Sequence, residues 1–433
     1  MPFKLIGKFG FLFCLTLWGT MATAGIGLAR LPNQQDGWRF VRSDGSRFRM
    51  LAVDHVTYNG VYASKFQTYP FGATNDLKYA SKAEWEAETL SRLKSWGFNC
   101  LGAGADATLL GRGFPHSLFA GTGAAFVWAS GGGDRSSIPM ELSWAVFPNV
   151  FHPNFKSWVE ASTQERCSPN RDNDSLIGYY LDNELAWRQD GTKMFDCVAA
   201  LDGIHEARQA LDAFLAERHV SVTNATRAVK LEFLELMAER YFSTVVPAVR
   251  KADPNHLVLG CRFMGVDGAD SPVWRIAGRW CDAISINIYP YVDLETGRIR
   301  VAQDSSSRSL QEALLERYAQ TGKPILVTEW SFCAYDSGLP CTAGAGQRFA
   351  TQRERVAAAK CLLKTLAELP FVVGYSYFMW VDDPNDGASE NSNYGLVRMT
   401  GEPYAELVEM FTEFHRRGFP PEVVGLWRMS PSR

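Results

Sequence analysis

The chain has 433 residues, a formal net charge of −3, 46% apolar residues and 21% charged ones, the make-up of a globular protein with ample chain for a large core. The near-neutral charge and the lack of any basic block count against nucleic-acid binding, which needs a positive surface to neutralise phosphates. Thirteen tryptophans and 13% aromatics are a rich supply of flat faces for a ligand ring, although most large aromatics fill a core.

The first 24 residues read as an export signal. Lys4 and Lys8 form a positive start, the apolar run from Phe9 to Trp18 is too short to span a bilayer comfortably, and Ala22-Thr23-Ala24 offers a small-x-small cleavage site before Gly25. No later stretch is long and apolar enough for a membrane span. The expected product is one secreted or periplasmic domain over 25–433, with no membrane attachment after cleavage. Export permits disulfides, and Cys167–Cys197 and Cys333–Cys341 are the candidate pairs, although spacing alone does not fix connectivity. Cys100, Cys261, Cys281 and Cys361 lie in apolar segments and are expected as buried thiols. No Cys/His spacing resembles a zinc site, and no Gly-x-Gly-x-x-Gly follows a strand. Neither a metal nor another cofactor is expected.

Residues 37–50 alternate apolar and polar around Asp44-Gly45, the pattern of a short hairpin. A strand at 49–56, a long loop and a helix over 81–96 follow. Ser81 and Glu84 are placed as a capping box, and Gly97 to end the helix. Strands are then expected at 98–102, within 115–127, and at 175–181, 257–262, 283–288, 324–328 and 372–379. Helices are expected at 153–165, 205–252, 308–321, 348–368 and 402–416. Strands alternating with helices imply a parallel sheet, and apolar runs such as LVLG and AISINI imply burial on both faces. About eight such units favour a closed (β/α)8 TIM barrel with a short N-terminal hairpin.

A parallel barrel carries its active site at the C-terminal strand ends. The fourth strand ends in Asp182-Asn183-Glu184 and the seventh in Glu329-Trp330. Two carboxyl groups on facing strands are what glycosidic cleavage requires: one protonates the leaving oxygen and, in the retaining variant, the other attacks the anomeric carbon. Glu184 lies amid Tyr179, Tyr180, Leu185 and Trp187, where desolvation would keep it protonated. Glu329 is expected to stay ionised, helped by a donor such as a tyrosine hydroxyl. A single strand-end glutamate is as readily an ion-pair partner; the two together, with Asn183 before Glu184, favour catalysis.

The segment GYYLDNELAW (178–187) resembles the acid/base motif of retaining (β/α)8 glycosidases of clan GH-A. KADPNHLVLGCRF (251–263) looks like the helix-to-strand-five junction of the β-agarases of glycoside hydrolase family 50, and PILVTEWSF (324–332) is similar to the nucleophile strand of the same clan. FVVGYSYFMWVDDP (371–384) with NYGLV (393–397) resembles the eighth strand and its loop, and the hairpin fits the entry to such barrels. The resemblance runs over roughly 37–415. It implies a retaining hydrolase of a β-linked, galactose-containing carbohydrate. It further implies that Asn183 binds a sugar 2-hydroxyl, that Tyr289 donates to Glu329, and that Trp380 is the platform under the sugar. His55 and Arg262 are implied polar contacts, and Trp187 and Trp330 neighbouring subsites. Of Asp382, Asp383, Glu390 and Asn393, one would touch substrate. The alternative is a non-catalytic carbohydrate-binding barrel, whose mark would be a lost carboxylate. A metal-dependent hydrolase would need clustered histidines, and the seven present include no His-x-His.

Overall fold

Eight apolar segments become parallel strands. They are Met50–Val53, Cys100–Leu101, His116–Phe119, Leu176–Tyr180, Leu257–Val258, Ile284–Asn287, Ile325–Glu329 and Val372–Tyr377. The computed structural model describes residues 25–32, 36–131, 135–140, 146–187, 191–303 and 307–417; the export signal expected at 1–24 lies outside them. The sheet order runs from Leu257–Val258 through strands four, three, two, one, eight, seven and six to Phe263–Met264. Both ends of that order belong to one stretch of chain. The fifth strand, expected as one run over 257–262, is kinked where Gly260 and Arg262 take left-handed φ values of +90° and +46°. Its first half pairs with strand four and its second half with strand six. The N–H of Leu259 donates to Tyr179 O at 2.8 Å, and that of Gly265 to Asn287 O at 2.8 Å. This closes the ring as a TIM-type α/β barrel.

The N-terminal hairpin forms as expected, with Gly45 at φ +81° in its turn. A third strand, Gly27–Arg30, adds to it antiparallel. This small sheet covers the N-terminal end of the barrel: Trp38 N–H donates to Pro370 O at 3.1 Å, just before strand eight. Ile26 and Phe40 fill the lumen floor together with Met50, Cys100, Ile177, Leu259, Leu326 and Val373. A second, larger cluster packs the outer strand faces against the helices.

Helix Lys82–Ser95 has Ser81 as its N-cap, accepting from Glu84 N–H, but the Glu84 carboxylate reaches back to Ala80 N–H instead of closing the expected box on Ser81. The region 205–252 is two helices, Glu206–Glu217 and Arg227–Ala252, because His219 turns left-handed and Thr226 caps a new start. Helices Pro70–Lys78, Gly191–Ala199 and Ser271–Trp280 lie outside the segments expected to be helical. The first buries only Phe71, Gly72 and Asn75 and so has little apolar period to detect. Neither candidate disulfide is formed: no cysteine from Cys100 to Cys361 is joined to another. Cys167 is walled in, fully buried, near Tyr179 and Asp253. Cys333 and Cys341 lie together in a buried cluster with Met379 and Tyr394. No helix among the described residues is long and apolar enough to cross a membrane.

Candidate active site

The C-terminal end of the barrel opens onto a cleft of about 950 Å³, lined by Glu184, Asn287, Tyr289, Glu329, Phe378 and Glu390, with Met264, Asp267 and Arg308 further along. Glu184 and Glu329 therefore share one cavity.

Glu329 ends strand seven, 8% exposed. Each of its oxygens accepts from a different donor. Oε1 takes a hydrogen bond from Arg262 Nη2, and Oε2 takes the Tyr289 hydroxyl at 2.8 Å. Arg262 is 1% exposed and also donates from Nη2 to Asp54 Oδ2 at 2.8 Å and to Thr328 O at 3.1 Å. Asp54 in turn accepts from Ala103 N–H at 2.9 Å and from the Ser376 hydroxyl. Strand two must end in glycine for this to fit: a Cβ on Gly102 would stand 1.9 Å from Asp54 Oδ1 and 2.1 Å from Ser376 Oγ.

Glu184 lies just past strand four, partly buried, with φ +51°. Its N–H donates to Arg262 O at 3.2 Å, and its Oε1 accepts from Asn287 Nδ2 at 2.9 Å. The preceding Asp182 anchors the turn. Its carboxylate accepts from the N–H groups of Gly123 and Ala124, both at 2.8 Å, at the start of helix Gly123–Ala129, where a negative charge is favoured. His55, Glu184 and Arg262 all hold left-handed φ values without being glycine, a costly conformation that gathers at functional sites.

Burial pushes the Glu329 carboxyl up to about 8, against the pull of Arg262 and with further push from Glu184 and Asp54. Glu184 is also raised, burial again being the main cause and the Asn287 amide opposing it. Two acids that repel through one cleft titrate as a pair. With Glu329 held up to about 8, the pair keeps one proton at neutral pH.

Tyr289 and Arg262 sit where a role beside Glu329 needs them. Asn183 is exposed at the mouth and accepts from Asn287 Nδ2 at 3.3 Å. His55 is exposed, its ring edge-on to Phe378 at 5.4 Å. The other expected contacts fall away. Trp380 is 1% exposed and packs on Trp96, so it is no platform; Phe378 is the aromatic that faces the cleft. Trp187 stacks on Phe242, and Trp330 lies among Tyr375, Tyr377 and Phe411. Both are core residues and line no subsite. Asn393 is fully buried, taking hydrogen bonds from Arg355 and Gln352 at 2.9 Å and giving one to Asp382 at 2.9 Å. At 0% exposure it does not reach a sugar. Asp382 is likewise occupied by Tyr404 and Gly395 N–H. Of that loop's four polar candidates only Glu390 lines the cleft.

Sequence reasoning missed Asn287, Asp54 and Phe378. Asp54 stands at a strand end beside His55 and obeys the rule that found Glu184. Asn287 is the last residue of strand six and obeys it too. Phe378 was hidden because strand eight ends at Tyr377, and the two-residue alternation that puts it on the same side as Trp380 stops there.

No family model matches the chain. It is 28% identical to beta-agarase B of Vibrio sp. (strain JT0107) over 413 residues, 85% of this chain and 40% of that one. It is 26% identical to beta-agarase A of the same organism, over 86% of this chain and 40% of the relative. The chain resembles beta-agarases along most of its length. It spans well under half the length of these two relatives. Among solved structures, an agarase superposes with a TM-score of 0.73 at 21% identity, covering 92% of this chain and 64% of that one. An exo-beta-agarase gives 0.72 at 19% identity, covering 92% and 65%. A beta-glucuronidase of an uncultured Clostridium gives 0.54 at 12% identity, covering 91% and 53%. Among the described residues no group of three or more His, Cys, Asp or Glu side chains is arranged to hold a metal ion.

Proposed function

We propose that the chain is a retaining glycoside hydrolase that cleaves β-linkages of a galactose-containing, agar-like polysaccharide. The single observation that carries this reading is the pairing of Glu184 and Glu329 in one cleft with unequal partners. Both oxygens of Glu329 accept hydrogen bonds, one from a guanidinium and one from a phenol, and such donors favour the charged form. Glu184 has one neutral amide donor. The shared proton therefore rests on Glu184, the general acid, and Glu329 is the nucleophile. In the first step Glu329 attacks the anomeric carbon while Glu184 gives its proton to the departing oxygen. In the second, Glu184 takes a proton from the water that displaces Glu329. Asn183, exposed beside Glu184, is the contact to the sugar 2-hydroxyl, and Phe378 is the apolar face beneath the ring. The kinship with beta-agarases supports an agar-type substrate.

The test is hydrolysis of agarose and of simple β-galactosides, with product anomers read by NMR at early times. Retained configuration and near-complete loss of turnover in Glu184→Gln and Glu329→Gln are expected. Inverted product, or normal turnover in either variant, removes the assignment. Saccharide binding without product release indicates a non-catalytic barrel instead.

A further inference from the structure

We propose that Asn287 is a positioning residue that selects which oxygen of Glu184 carries the transferable proton; this rests on the reading of Glu184 as the acid. Asn287 ends strand six and is 1% exposed. Between it and Glu329 the two strands slip register by one residue: Ile286 pairs with Val327, but Asn287 pairs with Glu329. Such bulges re-aim side chains beside active sites, and here the slip leaves Thr328 free to reach across.

The amide has one possible orientation. Its Oδ1 faces Arg262 Nε at 3.4 Å and the Thr328 hydroxyl at 2.8 Å. An arginine N–H only donates, so the atom facing it is the carbonyl oxygen. The NH2 group must then point at the cleft. Its two hydrogens go to Glu184 Oε1 at 2.9 Å and Asn183 Oδ1 at 3.3 Å. An oxygen that accepts an N–H is the carbonyl oxygen of a protonated carboxyl, which leaves Oε2 as the hydroxyl. The transferable proton is thus on Oε2. When the glycosidic C–O bond breaks, that proton goes with the leaving sugar, and the new charge on Glu184 meets an N–H already in place. In the second step water returns a proton to the same oxygen. Arg262 and Thr328 thereby tie the acid's orientation to the strand that carries the nucleophile.

The experiment compares Asn287→Ala and the shape-conserving Asn287→Asp with the wild type on two substrates. One is a neutral agarose oligosaccharide, whose sugar leaving group needs a proton. The other is the dinitrophenyl glycoside of the saccharide that the wild type releases, whose leaving group departs as a stable anion. In kcat/KM, which reports only the first step, both variants are expected to lose about 100-fold or more on the first and to stay within a few-fold of the wild type on the second. The alkaline limb of kcat/KM moves to higher pH in both, because the donor that favours the charged acid is gone, and moves furthest in Asn287→Asp. Thermal melting reports whether each variant folds; Asn287→Asp keeps the side-chain volume and decides the matter if Asn287→Ala unfolds. Equal losses on both substrates with an unmoved alkaline limb overturn the positioning role alone. A wild type that releases nothing from neutral galactans overturns the reading of Glu184 on which it rests.

Discussion

The two ends of the barrel are built from opposite materials. At the N-terminal end Ile26, Phe40, Met50, Ile177, Leu259, Leu326 and Val373 fill the lumen with apolar volume alone. At the C-terminal end one guanidinium, Arg262, serves Asp54 and Glu329 while Glu184 waits beside them. Three carboxyls against one cation is an excess of buried negative charge, which is costly unless paired or neutralised. The boundary between the two regimes is thin: Arg262 lies over the rings of Phe119 and Tyr180, 5.4 Å from each centroid. The floor supplies stability that the mouth consumes, and the mouth keeps one proton because its charges do not balance. Substitutions at the two ends should therefore fail in opposite ways.

The largest effect belongs to Glu329→Gln. Turnover should fall by at least about 1000-fold, since the proposed nucleophile is gone. Stability should move the other way. With one carboxyl raised to about 8, the folded pair of acids keeps a proton that the unfolded chain has lost, so the pair's contribution is full below the ordinary carboxylate range and is lost as pH rises through about 8. The variant has no such loss. In urea titrations its advantage over the wild type should be absent near pH 4 and amount to a few kcal/mol near pH 8.5. A wild type whose stability is flat between those values breaks the picture of a charge-strained mouth.

At the floor, Phe40→Ala should cost about 3–5 kcal/mol of stability, because the fully buried ring has neighbours too rigid to collapse on it. Yet kcat measured well below the lowered Tm should be unchanged. A drop in kcat would mean that the lumen transmits strain to the mouth. Between these extremes lies Gly102→Ala. Its Cβ meets Asp54 and Ser376 inside contact distance, so Asp54 must shift and Arg262 with it. Roughly 1–3 kcal/mol of stability and tenfold or more of kcat should go together, the one substitution here that harms both ends of the comparison.

How much of this was legible follows the same division. The barrel was, because near-continuous apolar runs and helices between them are set locally, and the floor demands nothing more than apolar volume. That Glu184 and Glu329 would meet in one cleft was legible because the strand-end rule is topological, while the placing of Tyr289 beside Glu329 came from the family resemblance. What the sequence could not reveal is direction. Trp187, Trp330 and Trp380 look the same in a sequence whether they face a sugar or a helix, and all three turned into the core. Asn393 was indistinguishable from a ligand contact until Arg355 and Gln352 were seen to occupy it. The kink at Arg262, which swings a strand-five arginine onto a strand-seven carboxylate, depends on a left-handed backbone that an arginine does not advertise.

The smallest predicted effect is the sharpest test of how the mouth shares its proton. Tyr289→Phe removes one donor from Glu329 Oε2 and changes no formal charge. If Glu329 owes its ionisation chiefly to Arg262, the substitution should cost only about 1–2 kcal/mol in the barrier, on the order of tenfold in kcat/KM. The sign of the pH shift carries more information than the size. A lost donor to the charged form makes Glu329 hold a proton more readily, so the acid limb of the pH–rate profile should move to higher pH. The alkaline limb reports loss of the pair's last proton. It should also rise, because the two carboxyls titrate together. A variant in which only the acid limb moves would show that the two acids ionise independently, and that the excess charge at the mouth is settled residue by residue.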